Sequence, residues 1–308
     1  MPKIYDMLVL GGGPGGYTAA LYAARAGQSV LVIEKLSAGG QMATTEQVDN
    51  YPGFAEGIDG FELGERMQQT AERFGAETVL ASASAVKLDG PIKEIVTDEG
   101  TFQGKTVVLA TGASPRLLGL PGEQALRSHG MAYCAACDGM FFRGKTVAVI
   151  GGGNSAVGEA LTLSKLAQKV YLIHRRDSLR ADQVYTKPLE AADNIEIIWN
   201  KRPIELLHDT HITGLRLEDT QTGAQTELAC NGVFAAIGRV PETALFQGVL
   251  ELDAQGYIQA DETTRTNLPG VFAVGDVRTK PLRQIITAAA DGAVAAHFAD
   301  HYLATQAP

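Results

Sequence analysis

Cysteine is scarce, with three in 308 residues. That excludes a disulfide-stapled scaffold and makes a reducing, cytoplasmic setting the expectation. Positive charge is also in deficit. The net charge of −9 argues against nonspecific binding to nucleic acid or to an anionic membrane. No apolar run is long and unbroken enough to span a bilayer. Met1-Pro-Lys-Ile-Tyr-Asp leads directly into an apolar strand. No charged segment precedes a removable apolar stretch there, so no signal peptide is expected. Cys/His ligands are few around the lone C-x-x-C at Cys134. A structural zinc site takes four, and His129 leaves the set incomplete, so no metal is expected. What is plentiful is glycine, 35 residues of it, in a chain 45% hydrophobic and 20% charged. These values suit a water-soluble globular protein of about two domains.

The glycines cluster in an internal repeat. Met7-Leu-Val-Leu-Gly11-Gly-Gly13-Pro14-Gly-Gly16 resembles Val147-Ala-Val-Ile-Gly151-Gly-Gly153-Asn154-Ser155-Ala156, 140 positions later. Each motif follows an apolar strand and opens a helical stretch, Tyr17 to Arg25 and Val157 to Leu166. Each helix leads to a further strand, 29–33 and 169–173. Two βαβ units are predicted, each able to hold a pyrophosphate at a helix N-terminus. One G-x-G-x-x-G alone could be a tight turn packing helix on sheet. Two in matching contexts point to two nucleotides.

The second strands end differently. Glu34, followed by Lys35, offers a carboxylate to adenosine ribose hydroxyls, which suits FAD or NAD. The position 140 residues on is His174, followed by Arg175, Arg176 and later Arg180. Guanidinium groups bind a 2′-phosphate that an acid would repel, so the second site suits NADP. The bland alternative for the arginines is a solvated loop. Further on, a short apolar strand ends in Gly275-Asp276, where the acid could take flavin ribityl hydroxyls. A helix is predicted over 285–299, its N-terminus a source of partial positive charge.

The expected fold class is α/β, with two Rossmann-like three-layer nucleotide-binding domains. An NADPH domain, 117–240, is inserted into a discontinuous FAD domain, 1–116 and 241–308. Gly/Pro-bearing links at 119–122 and 238–241 are the expected hinges. A small β meander is expected over 84–108.

Cys134-Ala-Ala-Cys137-Asp138 lies a few residues before the second fingerprint. Cysteines so spaced form a small disulfide that exchanges readily, and an adjacent acid can move the proton that exchange requires. Beside two nucleotide loops, this reads as a disulfide reduced by a nucleotide cofactor. Cys230, alone before an apolar run, reads as a buried core thiol.

Over nearly its whole length the chain resembles the low-molecular-weight thioredoxin reductases of bacteria. The resemblance rests on Gly39-Gly40-Gln41-Met42, Asn50-Tyr-Pro-Gly53, Ala110-Thr111-Gly112-Ala113, Cys134-Ala-Ala-Cys137-Asp138-Gly139, the stretch from His174 to Arg180, and Gly275-Asp-Val-Arg-Thr-Lys-Pro-Leu-Arg283-Gln284 continuing through Ile285 to Gly292. It implies that Gln41, Asn50, Asp276, Arg283 and Gln284 contact FAD, and it extends the cofactor set to Gly40, Thr111, Gly112, Gly275 and Ile285. It implies that Cys137 lies next to the flavin, that Cys134 attacks the partner protein and that Asp138 is the acid/base. Electrons would pass from NADPH through FAD and the Cys134–Cys137 disulfide to thioredoxin, and the enzyme would be a homodimer. Met140 and Phe141 stand where the family often places two Phe side chains toward thioredoxin, and His129 where a basic group often helps docking. Four other readings stay open. They are the same chemistry on another disulfide protein, a flavin-dependent dithiol oxidase, a ferredoxin-linked flavin reductase and a nucleotide-sensing binding protein.

Overall fold

Runs that are apolar at every position, such as 7–10 and 30–33, are satisfied only in a sheet covered on both faces. The computed structural model, which describes residues 3–306, builds two such sheets. The termini of the expected first domain, residues 1–2 and 307–308, lie outside the described residues. Six α-helices occur among the described residues: α1 (Pro14–Arg25), α2 (Gly60–Glu72), α3 (Ala135–Asp138), α4 (Asn154–Ser164), α5 (Gln183–Glu190) and α6 (Ile285–Gln306). The chain forms two compact units. Unit 1 runs through Ser114 and resumes at Val240, and unit 2 is Pro115–Arg239.

Unit 1 holds a mostly parallel sheet in the order Glu77–Leu80, Val30–Glu34, Ile4–Leu10, Gly100–Leu109, with Val271–Ala273 beside the last. Alternate side chains go to opposite faces. Met7, Val9, Val30 and Val32 pack on α1 and α6 through Ala19, Ala20, Ala23, Ala295 and Ala299. Leu8, Leu10, Leu31 and Ile33 pack on Leu88, Ile95, Phe246 and Leu250. The expected meander forms within this sheet, Ala83–Lys87 pairing antiparallel with Lys93–Thr97 and that strand with Gly100–Leu109. Gly100–Leu109 pairs antiparallel with Lys93–Thr97 through its first half and parallel with Ile4–Leu10 through its second.

Unit 2 repeats the plan. Five parallel strands run in the order Ile195–Ile198, Lys169–Ile173, Thr146–Ile150, Gly232–Ala235, Met131–Ala132. One face carries α4 through Ala156, Val157, Ala160 and Leu163. The other is covered by Leu206, Ile212, Leu215 and Leu217 of an antiparallel three-stranded sheet. Both units therefore share the strand order third, second, first, then a late strand, with the glycine loop leaving the C-terminal end of the first. That is the topological switch point where α/β sheets bind nucleotides. The α/β, two-Rossmann expectation is met.

Helix starts depart from expectation. Both nucleotide helices begin about one turn earlier, at Pro14 and Asn154. Pro14 brings a preset φ and lacks only an N–H that would be unpaired anyway, so the loop passes straight into the helix. α6 extends seven residues past the expected Ala299. The turn at 119–122, expected as a hinge, lies inside unit 2. Glu123 there accepts hydrogen bonds from the Leu118 and Gly119 N–H groups, each at 2.8 Å, and from Tyr133 Oη at 2.9 Å.

Candidate active site

The unit 1 site is built around the first glycine loop. Gly11 has φ +107°, a conformation an L side chain resists, and a Cβ there would strike the Ala110 carbonyl. Gly12 donates to Glu34 Oε2 at 2.6 Å, while Glu34 Oε1 accepts from the Lys35 and Leu36 N–H groups at 2.8 and 3.0 Å. Glu34 therefore braces the loop, and Lys35 is exposed. Gly13 has open space where a Cβ would be. Gly39 donates to Gly12 O at 2.8 Å, which sets Gly40 and Gln41 beside the loop. Small residues let α6 close on α1: a Cβ on Gly292 would press on Gly15 O and come within 2.8 Å of Ala19 N. Gly16 likewise lies against the Gly11 carbonyl, with no room for a side chain.

Distant segments meet in the same unit. Asn50 Nδ2 donates to Gln284 Oε1 at 3.1 Å. Thr111 Oγ1 donates to Glu242 O at 2.8 Å, and Glu242 N to Gly112 O at 3.0 Å. Gly275 and Asp276 end the Val271–Ala273 strand's loop, which Asp291 of α6 holds by accepting the Gly275 N–H at 2.8 Å. Ile285 opens α6 and packs with Met42, Val48, Ile58 and Leu63. Arg283 lies 4.0 Å from the Tyr257 ring centroid, and its Nε is buried without a partner. An open glycine cradle plus an orphaned buried guanidinium N–H fits a bound anionic dinucleotide.

In unit 2 the same architecture carries different chemistry. His174 stands where Glu34 stands in unit 1, and a Cβ on Gly152 would meet its ring. It is 5% exposed and its Nε2 has no partner. Burial, together with the charges of Arg180, Arg176 and Arg175, holds the imidazole below its ordinary range. The three arginines are exposed. Arg180, the most distant in sequence, is tied to the glycine loop by its N–H to Gly152 O at 2.7 Å. A Cβ on Gly151 would clash with Ala156 Cβ and Ala236 O, each at 2.6 Å, and Gly153 is open. Asn154 exchanges two hydrogen bonds with Asp182, at 2.7 and 2.8 Å, and Ser155 is exposed.

Cys134 and Cys137 form a disulfide with Cα atoms 5.3 Å apart. Cys134 caps α3, and its carbonyl accepts the N–H groups of Cys137 and Asp138 at 3.2 and 3.0 Å. Burial pushes the Asp138 carboxyl up to about 6, opposed by Arg127. Such a group exchanges protons near neutral pH. Met140 and Phe141 follow as half-exposed apolar side chains. His129 lies against His211, ring centroids 5.2 Å apart and planes tilted by 42°.

One acid near the disulfide carries no signal in the motifs above. Glu159 lies one turn before Leu163 on α4, and Leu163 and Leu166 lie beside Gly139, at the end of α3. Burial, and then the negative charge of Asp138, push Glu159 up to about 8 against the pull of Arg239, and its Oε2 is buried without a partner. The available signal was local: Glu159 is the sole charged residue in α4. Cys230 is the core thiol expected, its ionisation pushed up to about 12 by burial. His297 and His301 form an H-x-x-x-H pair on α6 that the sequence reading overlooked, their ring centroids 4.6 Å apart. No group of three or more His, Cys, Asp or Glu that could hold a metal occurs among the described residues. No helix among them is long and apolar enough to cross a membrane.

A family model described as pyridine nucleotide-disulphide oxidoreductase matches residues 5–292. The bifunctional thioredoxin reductase/thioredoxin of Mycobacterium leprae is 48% identical over 306 residues, 99% of this chain and 67% of that protein. The thioredoxin reductase of Mycolicibacterium smegmatis is 45% identical, covering 98% of each chain. The crystal structure of thioredoxin reductase from Streptococcus pyogenes MGAS5005 superposes with TM-score 0.92 at 42% identity, over 99% of this chain and 100% of that one.

Proposed function

The chain belongs to the pyridine nucleotide-disulphide oxidoreductases, and from that premise we propose that it is a thioredoxin reductase using NADPH and FAD. The observation that carries the reading is the Cys134–Cys137 disulfide followed by a carboxyl raised to about 6, in a chain with two nucleotide loops. FAD, when bound, would supply two-electron chemistry linking NADPH to the disulfide. In unit 1 the Gly11–Gly16 loop would hold its pyrophosphate and Glu34 its adenosine ribose. Gln41, Asn50, Asp276, Arg283 and Gln284 would hold the remainder. In unit 2 the Gly151–Ala156 loop would hold the NADPH pyrophosphate, with Arg175, Arg176 and Arg180 on the 2′-phosphate.

The chain's own chemistry starts from the reduced pair. The Cys134 thiolate attacks one sulfur of thioredoxin's disulfide, forming a mixed disulfide and expelling the other sulfur as a thiolate. Asp138 delivers the proton that this leaving thiolate takes. Cys137 then attacks Cys134, restoring the intramolecular disulfide and releasing dithiol thioredoxin. Met140 and Phe141 offer apolar surface beside Cys134 for the partner. We place the reaction in the cytoplasm, where thioredoxin must be kept reduced, and take the working form to be a homodimer.

The test is spectroscopic. Purified protein should be yellow, bleach with NADPH, and recover colour on adding oxidised thioredoxin. Recovery with oxygen alone at the same rate would favour a dithiol oxidase, and failure to bleach with NADPH would refute the cofactor assignment. Cys134→Ser should bleach normally yet reduce no thioredoxin, because partner attack comes after hydride transfer. A variant that still turned over would reverse the roles of the two cysteines.

A further inference from the structure

Three charged side chains are buried together in unit 1 with no assigned role. Asp291, on the second turn of α6, has 10% of its side chain exposed, Arg278 has 5% and Lys280 has 4%. Asp291 accepts a bidentate pair from Arg278, Nε to Oδ2 and Nη2 to Oδ1, both at 3.0 Å. Lys280 Nζ donates to Asp291 Oδ2 at 2.7 Å and to Thr287 O at 3.1 Å. The Gly275 N–H donates to the same Oδ2 at 2.8 Å. Arg278 Nη1 adds bonds to Ala260 O at 3.1 Å and Thr279 O at 2.9 Å. One carboxylate therefore ties Gly275, Arg278 and Lys280, in the segment that leads from Asp276 to Arg283 and Gln284, to α6.

The charges do not cancel. Two cations meet one anion, and burial of an uncompensated charge is costly. Across residues 275–291 the charged side chains are Asp276, Arg278, Lys280, Arg283 and Asp291, a net single positive charge. Asp261 also feels Arg278, but it is exposed and bonded to Thr263. Arg283 joins the cluster through Nη2 to Arg278 O at 3.4 Å. An excess buried cation is justified where an anion forms nearby. Two electrons and one proton added to a neutral flavin ring leave it with one more negative charge. A low-dielectric site magnifies the effect of a fixed positive charge on that change.

We propose that Asp291, Arg278 and Lys280 form a positioning clamp for the flavin loop whose surplus positive charge raises the flavin's reduction potential. The proposal rests on FAD binding in unit 1 as read above. Arg278 and Asp291 supply the rigid part, and Lys280 supplies the surplus charge.

The test compares purified holoprotein of wild type and four variants. Midpoint potentials are read by dye-coupled reduction, and FAD release is followed by fluorescence on dilution. Lys280→Gln keeps a donor to Asp291 but no charge, and Lys280→Met removes both. Each should retain FAD, and each should lower the reduced-to-oxidised flavin ratio at fixed potential about tenfold, or about 30 mV for a two-electron couple. Lys280→Arg should stay within about twofold of wild type. Asp291→Asn should release FAD roughly tenfold faster, because it loosens the Gly275 loop. Wild-type potentials in Lys280→Gln or Lys280→Met would overturn the proposal. Wild-type protein that neither carries FAD nor takes it up would overturn the underlying flavin reading instead.

Discussion

Asp138 and Glu159 show how burial changes what a carboxyl can do. Both titrate higher in the fold, from 3.8 to about 6 and from 4.5 to about 8. The folded state then binds more protons than the unfolded chain between those values. Stability is full below the lower value and is lost as pH rises through the upper one. Each displaced pH unit is worth about 1.4 kcal/mol. Glu159→Gln should therefore melt at a temperature that falls less than wild type's between pH 6 and 8. Parallel decline of both would assign the titration to another group. Asp138→Asn should slow thioredoxin reduction by roughly 10²–10⁴-fold, the usual worth of a general acid. It should also remove the kinetic inflection near pH 6. Retention of that inflection would exclude Asp138 as its source.

Among elements, α1 and α6 and the strand-end arginines set the tightest constraints. Gly292 brings α6 onto α1 with no space for a methyl group. Gly292→Ala should cost about 1–3 kcal/mol by overpacking and should loosen FAD, because both helices open at the proposed flavin site. Thermal melting and flavin release would measure the two effects, and an unchanged melt would show that the helices can part without penalty. The arginine segment after Lys169–Ile173 tests the second nucleotide. Neutralising Arg175, Arg176 and Arg180 together should weaken NADPH by more than the roughly ten- to a hundredfold that loss of a single charge-assisted phosphate bond, worth about 1.5–3 kcal/mol, would cost. NADH, which has no 2′-phosphate, should change little. Equal changes in KM for both would remove the phosphate assignment. His174 stays out of that test, because it is packed under Gly152.

At the scale of the molecule, the disulfide and the second nucleotide loop belong to one unit and the proposed flavin loop to the other. Disulfide and nicotinamide would each need the flavin, and Cys134 must also reach a protein. One rigid arrangement does not serve all three demands, so rotation of one unit against the other is expected in each turnover. The chain crosses between units at Ser114/Pro115 and Arg239/Val240, where the pivots of such a rotation are expected. An engineered cross-link between the units should leave one half-reaction measurable by stopped flow and stop steady-state turnover. Full turnover in verified cross-linked protein would rule rotation out.

Local chemistry was legible without coordinates. A glycine loop between strand and helix is a backbone requirement, so two copies 140 residues apart revealed two Rossmann units. Cys134, Cys137 and Asp138 are neighbours in the chain, and their joint chemistry needs no tertiary contact to be read. Cys230 was legible from the apolar run beside it. What only the tertiary structure decided depends on residues far apart. Glu159 stands out locally as the one charged residue of α4, but its raised proton affinity comes from burial and from the charge of Asp138, which the fold alone supplies. The Gly100–Leu109 strand pairs with Ile4–Leu10, Lys93–Thr97 and Val271–Ala273, partners scattered across the chain that only the fold brings together. Asp291 becomes a clamp only when α6 folds back over the 275–280 loop. Burial and charge pairing are properties of what covers a residue, and the covering segments are chosen by packing rather than by sequence neighbours.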